Sequence, residues 1–151
     1  KLTEMNARLK AEAVASHHPD AVVVAADTLV LLGDRVLTKP VDRAEARQML
    51  ESLNGSSHQV FTAVTLVNCG QGRERCFDVV TDVHFKRLTG DEMTAYHEKI
   101  NPMDKAGAYA AQEHGADIIE RIEGSMTNVI GLPMDEVTCA LTEFGVKPNY
   151  N

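Results

Sequence analysis

The sequence has no apolar run long enough to span a bilayer. Its longest, residues 21–32, is interrupted by Asp27, whereas a transmembrane helix needs about 20 apolar residues. The opening residues KLTEMNARLKAEAV carry charges throughout, where a secretory signal would hold an unbroken apolar region. Together these absences argue against a membrane and for a cytoplasmic protein.

Cysteine is scarce. Cys69, Cys76 and Cys139 are an odd number with no CxxC spacing, so neither a zinc site nor a disulfide framework is signalled. Cys69 and Cys76 flank an expected hairpin turn, and free thiols are the expected state in a reducing cytosol. Positive charge is also short: 15 Lys+Arg against 22 Asp+Glu leave a net charge of −7. That balance opposes sequence-independent binding to DNA or RNA, which depends on many cation–phosphate contacts. A small anionic ligand needs only a few local cations.

Several signatures are missing as well. There is no GxxxxGK[ST] phosphate loop, no GxGxxG dinucleotide fingerprint, and no GxSxG nucleophile elbow around Ser56, Ser57 or Ser125. No repeat, low-complexity tract or Pro/Ser-rich linker divides the chain. One compact domain over residues 1–151 is therefore expected, and a chain of this length buries about two-thirds of the surface its unfolded form exposes.

What is present reads as interspersed strands and helices. Residues 1–15 carry Leu2, Met5 and Leu9 at helical spacing, and the HHPD that follows ends the helix, because proline disfavours helical geometry in the residue before it. AVVVAA at 21–26 and Leu29 to Leu32 read as extended, GD at 33 and 34 as a two-residue turn, and residues 35–38 as the returning strand. Pairing Leu32 with Arg35 sets Val30 opposite Leu37 and, further along, Thr28 opposite Lys39. Directly paired side chains share a face, about 5 Å apart at Cβ.

Asp42 and Glu45 open a helix to Leu53 whose buried stripe is Ala46, Met49, Leu50 and Leu53. HQVFTAVTLVN and residues 76–88 form a second expected hairpin. Thr89 and Glu92 cap a helix carrying Met93, Tyr96 and Ile100. NPMDKAGAYAAQEHG reads as an irregular loop with a short helix near Gly107, ADIIERI as a strand, EGSMTNVIGLP as a loop, and MDEVTCALTEF as a final helix stopped by Gly145. This pattern predicts the mixed α/β class.

Asp27 is the most conspicuous polar residue, since a carboxylate inside an apolar run needs a partner or a metal. It can serve as a hydrated strand-end residue, a Mg²⁺ ligand or a base that activates water. Lys39 reads alone as a solvated lysine before a turn proline, and beside Asp27 as a phosphate ligand. Asp104 and Lys105 stand before small residues where backbone can approach a ligand, or in an exposed capped loop. His17 and His18 read as turn residues, and His84 and His97 lack metal-spaced partners. His58, at the start of a strand, reads either as approaching a ligand cleft or, by preference, as a structural hydrogen-bonding residue.

Read together, AADT at 25–28, LTKP at 37–40, DRAEARQMLESLNGSSHQVFTAV at 42–64, PMDKAGAYAAQ at 102–112 and IERIEGSMTNVIGLP at 119–133 resemble the Maf family of nucleoside triphosphate pyrophosphatases, once described through septum formation. The resemblance runs in order from about residue 21 to 137. It implies a hydrolase acting on acid anhydrides that cleaves a nucleoside triphosphate to monophosphate and pyrophosphate with Mg²⁺ or Mn²⁺. It maps the proton acceptor onto Asp27, also the candidate metal ligand, the triphosphate ligands onto Lys39 and Lys105, and base selection onto Thr28 and Gln112.

The DKAGAY…Q form is similar to the branch acting on dTTP and UTP. The fold implied is that of inosine triphosphate pyrophosphatases, an elongated mixed sheet with flanking helices and a central cleft, and homodimers are expected. The family's N-terminal Ser-rich, double-arginine phosphate segment is not among these residues. A catalytically silent nucleotide-binding or cell-division regulatory module is the competing expectation.

Overall fold

The β-branched run after Pro19 forms β1 (Val23–Leu32), which turns at Gly33 into β2 (Arg35–Leu37). Gly33 has φ +60°, the left-handed geometry such a turn requires. The strands pair antiparallel in the expected register, Leu32 with Arg35, Leu31 with Val36 and Val30 with Leu37. β2 stops at Leu37, and Thr38 leaves the ladder. The Thr38 carbonyl accepts instead from Gly107 N–H at 3.2 Å.

The structure, a computed structural model, describes residues 2–148. Lys1, with which the expected first helix opens, lies outside them; the described helix is α1 (Leu2–Ala15). Its buried face is not the Leu2, Met5, Leu9 side, which is 69%, 56% and 57% exposed. Thr3, Ala7, Ala11 and Ala15 are buried instead, because small side chains let the helix backbone approach the strands closely.

In α2 (Arg43–Leu53) the Asp42 carboxylate accepts from Glu45 N–H at 2.8 Å, and Ala46, Met49, Leu50 and Leu53 are buried as expected. The second hairpin joins β3 (Ser57–Asn68) to β4 (Arg73–Phe85). β4 starts and ends three residues earlier than expected. Its turn is tighter, closed by Gly72 N–H on the Cys69 carbonyl, and Leu88 is withdrawn from the strand by Asn54, which bonds both its N–H (2.7 Å) and its carbonyl (3.0 Å).

The Thr89/Glu92 capping box forms in full at the start of α3 (Gly90–Lys99). Single 3₁₀ turns follow at Pro102–Asp104, Ala106–Ala108 and Gly115–Asp117, then β5 (Ile119–Glu123), antiparallel to β4. Where a loop was expected there is a short helix, α4 (Met126–Ile130), begun by Ser125 Oγ accepting from Asn128 N–H at 3.1 Å. The last helix is α5 (Met134–Glu143), after which Gly145 takes φ +82°. The sheet order is β2-β1-β3-β4-β5. This is the expected α/β class. Among the described residues no helix is long and apolar enough to cross a membrane.

The chain forms two compact units. The first comprises the described residues up to Thr28, Thr62–Val79 and those from Gly131 onward. Alternation in β1 divides its core: Val22, Val24 and Ala26 pack with Val137, Ala140 and Phe144 around α5, while Val23 and Ala25 pack with Ala11 and Ala15 of α1. The second unit is Leu29–Phe61 and Val80–Ile130, with a core that includes Leu50, Leu53, Val60, Phe85, Tyr96 and Ile118. Each fully buried aliphatic side chain there contributes about 1.5–3 kcal/mol.

Candidate functional site

Asp27 is the next residue on the β1 face that carries Val23 and Ala25 beneath α1. Where the strand changes from apolar to acidic, the helix changes from alanine to polar side chains. Asn6 Nδ2 donates to Asp27 Oδ2 at 3.2 Å, and Lys10 Nζ donates to Oδ1 at 3.0 Å and to the Ala26 carbonyl at 3.2 Å. Asn6 and Lys10 are four apart, hence one above the other on the helix. With the Asp27 side chain 25% exposed and that of Lys10 57% exposed, the ion pair contributes at most about 1 kcal/mol.

Neither Asn6 nor Lys10 was singled out by sequence reasoning. The available signal was a polar i,i+4 pair bordering the buried Thr3, Ala7, Ala11 stripe. Thr28, by strand alternation, faces the other way, with its hydroxyl 2.9 Å from Thr62 Oγ1 and 3.5 Å from the Gly131 carbonyl.

The second unit holds the other candidates. Lys39 is exposed. Lys105 is 15% exposed, its Nζ 2.9 Å from Asp104 Oδ1 and 3.2 Å from Glu113 Oε2. Burial works against the Lys105 charge, but the bonds to Asp104 and Glu113 outweigh it and raise its pKa. The Lys105 hydrogen bond holds the Asp104 carboxyl below its ordinary range, and the charge of Lys39 adds to this. The two lysines therefore act on one carboxylate. Gln112 is exposed.

The segment carrying Lys105 has irregular backbone and is fixed by buried rings. Gly107 has φ +77°, and a Cβ there would sit 3.4 Å from Val30 Cγ1. Ala108 takes φ +63°, a left-handed geometry that costs a residue with a Cβ about 1–2 kcal/mol. Its carbonyl accepts from His97 Nε2 at 3.0 Å, which sets that ring's tautomer, and burial lowers the His97 pKa.

The Tyr96 hydroxyl accepts from Ala110 N–H at 3.2 Å and lies 3.2 Å from the Ala110 and Glu113 carbonyls; burial pushes its pKa up to about 12. His58 Nε2 is hydrogen-bonded to Tyr109 Oη at 2.6 Å, and both rings meet Phe85 edge-on. Burial, with a smaller contribution from His84, lowers the His58 pKa to about 4. The structural role expected for His58 is what the geometry gives it, and His97 gains one that its spacing did not suggest.

Among the described residues no group of three or more His, Cys, Asp or Glu is arranged to hold a metal ion. A protein cage is therefore absent from those residues, and Asp27, with one oxygen on an exposed lysine, is a single carboxylate donor. Mg²⁺ typically takes one or two carboxylates together with substrate phosphates, and a metal that arrives on a polyphosphate fits that donor set.

Residues 1–144 match the family model described as Maf-like protein. The chain is 43% identical over 147 residues to a dTTP/UTP pyrophosphatase of Desulforamulus reducens, covering 97% of this chain and 77% of the relative. It is 46% identical over 142 residues to one of Akkermansia muciniphila, covering 94% and 74%. With one of Bacillus velezensis it shares 45% identity over 141 residues, covering 93% and 74%. The alternating strand that presents Asp27 and the ring-locked Lys105 segment thus lie within a match that takes in nearly the whole sequence, and the chain belongs to the Maf-like family.

Proposed function

We propose that the protein is a nucleoside triphosphate pyrophosphatase that cleaves dTTP or UTP between the α- and β-phosphates, releasing the monophosphate and pyrophosphate. The observation that carries this reading is the activity in the names of relatives 43–46% identical over 93–97% of the chain. The chemistry of the residues agrees with it.

Water attacking the α-phosphorus must lose a proton while negative charge spreads over phosphate oxygens, so a carboxylate base and fixed cations meet the two needs. Asp27 is the proposed proton acceptor. Lys39 and Lys105 are the proposed triphosphate ligands, and Thr28 and Gln112 the proposed base-selecting residues. Asp27, together with the triphosphate's own oxygens, would hold Mg²⁺ or Mn²⁺, which would supply neutralisation of the phosphate charge there. Lys10 then leaves the Asp27 oxygen it holds in the free protein. We further propose a homodimer, as the family resemblance implies, working in the cytoplasm.

The test is pyrophosphate release by the complete gene product with Mg²⁺ across the ribo- and deoxyribonucleoside triphosphates. Turnover of dTTP and UTP well above the others is expected. Nucleotide binding without pyrophosphate from any of them would overturn the reading in favour of a silent binding or regulatory module.

A further inference from the structure

We propose that Asn6 is a positioning residue for Asp27, anchoring Oδ2 so that Oδ1 is the oxygen that works on the substrate. The proposal rests on the reading of Asp27 as the group facing the α-phosphorus. It begins from the way α1 divides the carboxylate: one oxygen goes to a neutral amide and the other to an ammonium, at 3.2 and 3.0 Å.

The two donors are not equivalent. Lys10 is a four-carbon, largely exposed side chain with a full charge, so an arriving polyphosphate competes for it directly and its contact with Oδ1 is exchangeable. Asn6 is partly buried, has two side-chain torsions and carries no charge. A phosphate has little to offer it, and it stays on Oδ2 when Lys10 departs.

Without that donor the carboxyl group is free to rotate about its terminal sp³–sp² torsion, which is broad and two-fold. The fraction of bound substrate meeting a correctly turned oxygen then falls. Misorientation of a reacting group lowers turnover without weakening ground-state binding, so the loss belongs in kcat.

Asn6→Ala is therefore expected to lower kcat roughly tenfold, the scale of one hydrogen bond to a charged group, with KM for dTTP changed less than about twofold. Asn6→Asp, of the same shape but presenting a carboxylate to Oδ2, should lose more. A purely structural Asn6 would lower the melting temperature and leave kcat alone.

A second readout needs no turnover. The Asn6 side-chain amide signal in ¹H–¹⁵N spectra should shift in Asp27→Ala and persist in Lys10→Met; indifference to Asp27→Ala would overturn the contact. An active wild type with unchanged kcat in Asn6→Ala overturns this inference alone. A wild type releasing no pyrophosphate from any nucleotide removes the functional reading, and the catalytic part of this one with it.

Discussion

Asp27 and Lys105 are both charged groups paired with opposite charge, yet the molecule holds them in place by different means. Asp27 sits on a regular strand, where alternation alone decides which way it points, and two side chains from one helix suffice to steady it. Lys105 sits in irregular backbone, where no periodicity aims anything. There, three buried rings, Tyr96, His97 and His58, bond the segment at Ala110, Ala108 and Tyr109 in turn. Periodic backbone positions a functional group with little dedicated structure, whereas aperiodic backbone needs specific buried polar contacts. Substitutions at Asp27 should accordingly damage chemistry and spare stability, and those at the rings should do the reverse.

The largest effect expected is at Asp27. Asp27→Asn keeps the shape and removes the proposed base, so pyrophosphate release should fall by about 10²–10⁴-fold, the range for loss of a general base. The melting temperature should move by only a few degrees, because the exposed pair with Lys10 contributes at most about 1 kcal/mol. Near-normal turnover would remove Asp27 from the mechanism. A large loss of stability with it would show the contrast between the two regions to be false.

How much of this was legible in the sequence follows the same division. The 28–39 hairpin could be read through Leu37, because two residues of turn and a β-branched run fix the register. Its continuation to Lys39 could not, since the competing partner, Gly107 N–H, lies 69 residues away. The helix over residues 2–15 was legible, but its buried face was not. Large apolar residues marked one side, and the tight approach of small ones decided for the other. Asp27 stood out because charge is costly in an apolar run. Its donors Asn6 and Lys10 did not, because polar residues on a helix surface are ordinary. The rings around residues 105–113 were invisible for a different reason: His58, Tyr96 and His97 come from two separate elements, and only the folded chain brings them to one segment.

The next effect concerns pH. The folded protein holds the His58 pKa at about 4, against about 6.5 when unfolded. Between these values the unfolded chain binds a proton that the folded chain refuses. Stability is therefore full above about pH 6.5, is lost as the pH falls towards 4, and the loss from this residue totals about 3 kcal/mol. His97, also shifted down by burial, acts in the same direction. His58→Gln keeps a polar partner for Tyr109 and cannot titrate, so melting temperatures measured from pH 7 to 4.5 should fall less steeply in the variant. Equal slopes would mean that His58 is not held neutral.

Tyr96→Phe sharpens the comparison from the other side. It removes the acceptor for a buried Ala110 N–H, an orphaned group that costs about 1–3 kcal/mol, and should lower the melting temperature by several degrees. The charge-bearing residues stay in the sequence, so any change in turnover comes from loosening of the Lys105 segment and should appear mainly in KM. A variant as stable as the wild type would show that the rings do not hold this segment.

The smallest effect is at Glu113, and it has the opposite sign. In the free protein the Lys105 ammonium is shared between Asp104 and Glu113, so a triphosphate that takes Lys105 as its proposed ligand must displace carboxylates of its own sign. Glu113→Gln removes one competitor and one negative charge while leaving Asp104 to keep Lys105 in place. The Glu113 side chain is 43% exposed, and a pair so open to solvent carries at most about 1 kcal/mol, which limits the gain to roughly fivefold. KM for dTTP should fall by two- to fivefold, by the same arithmetic, with kcat unchanged, and the gain should shrink as salt screens the charge. If KM rises instead, Glu113 is orienting Lys105 rather than competing for it, and the segment is already arranged as the phosphate requires.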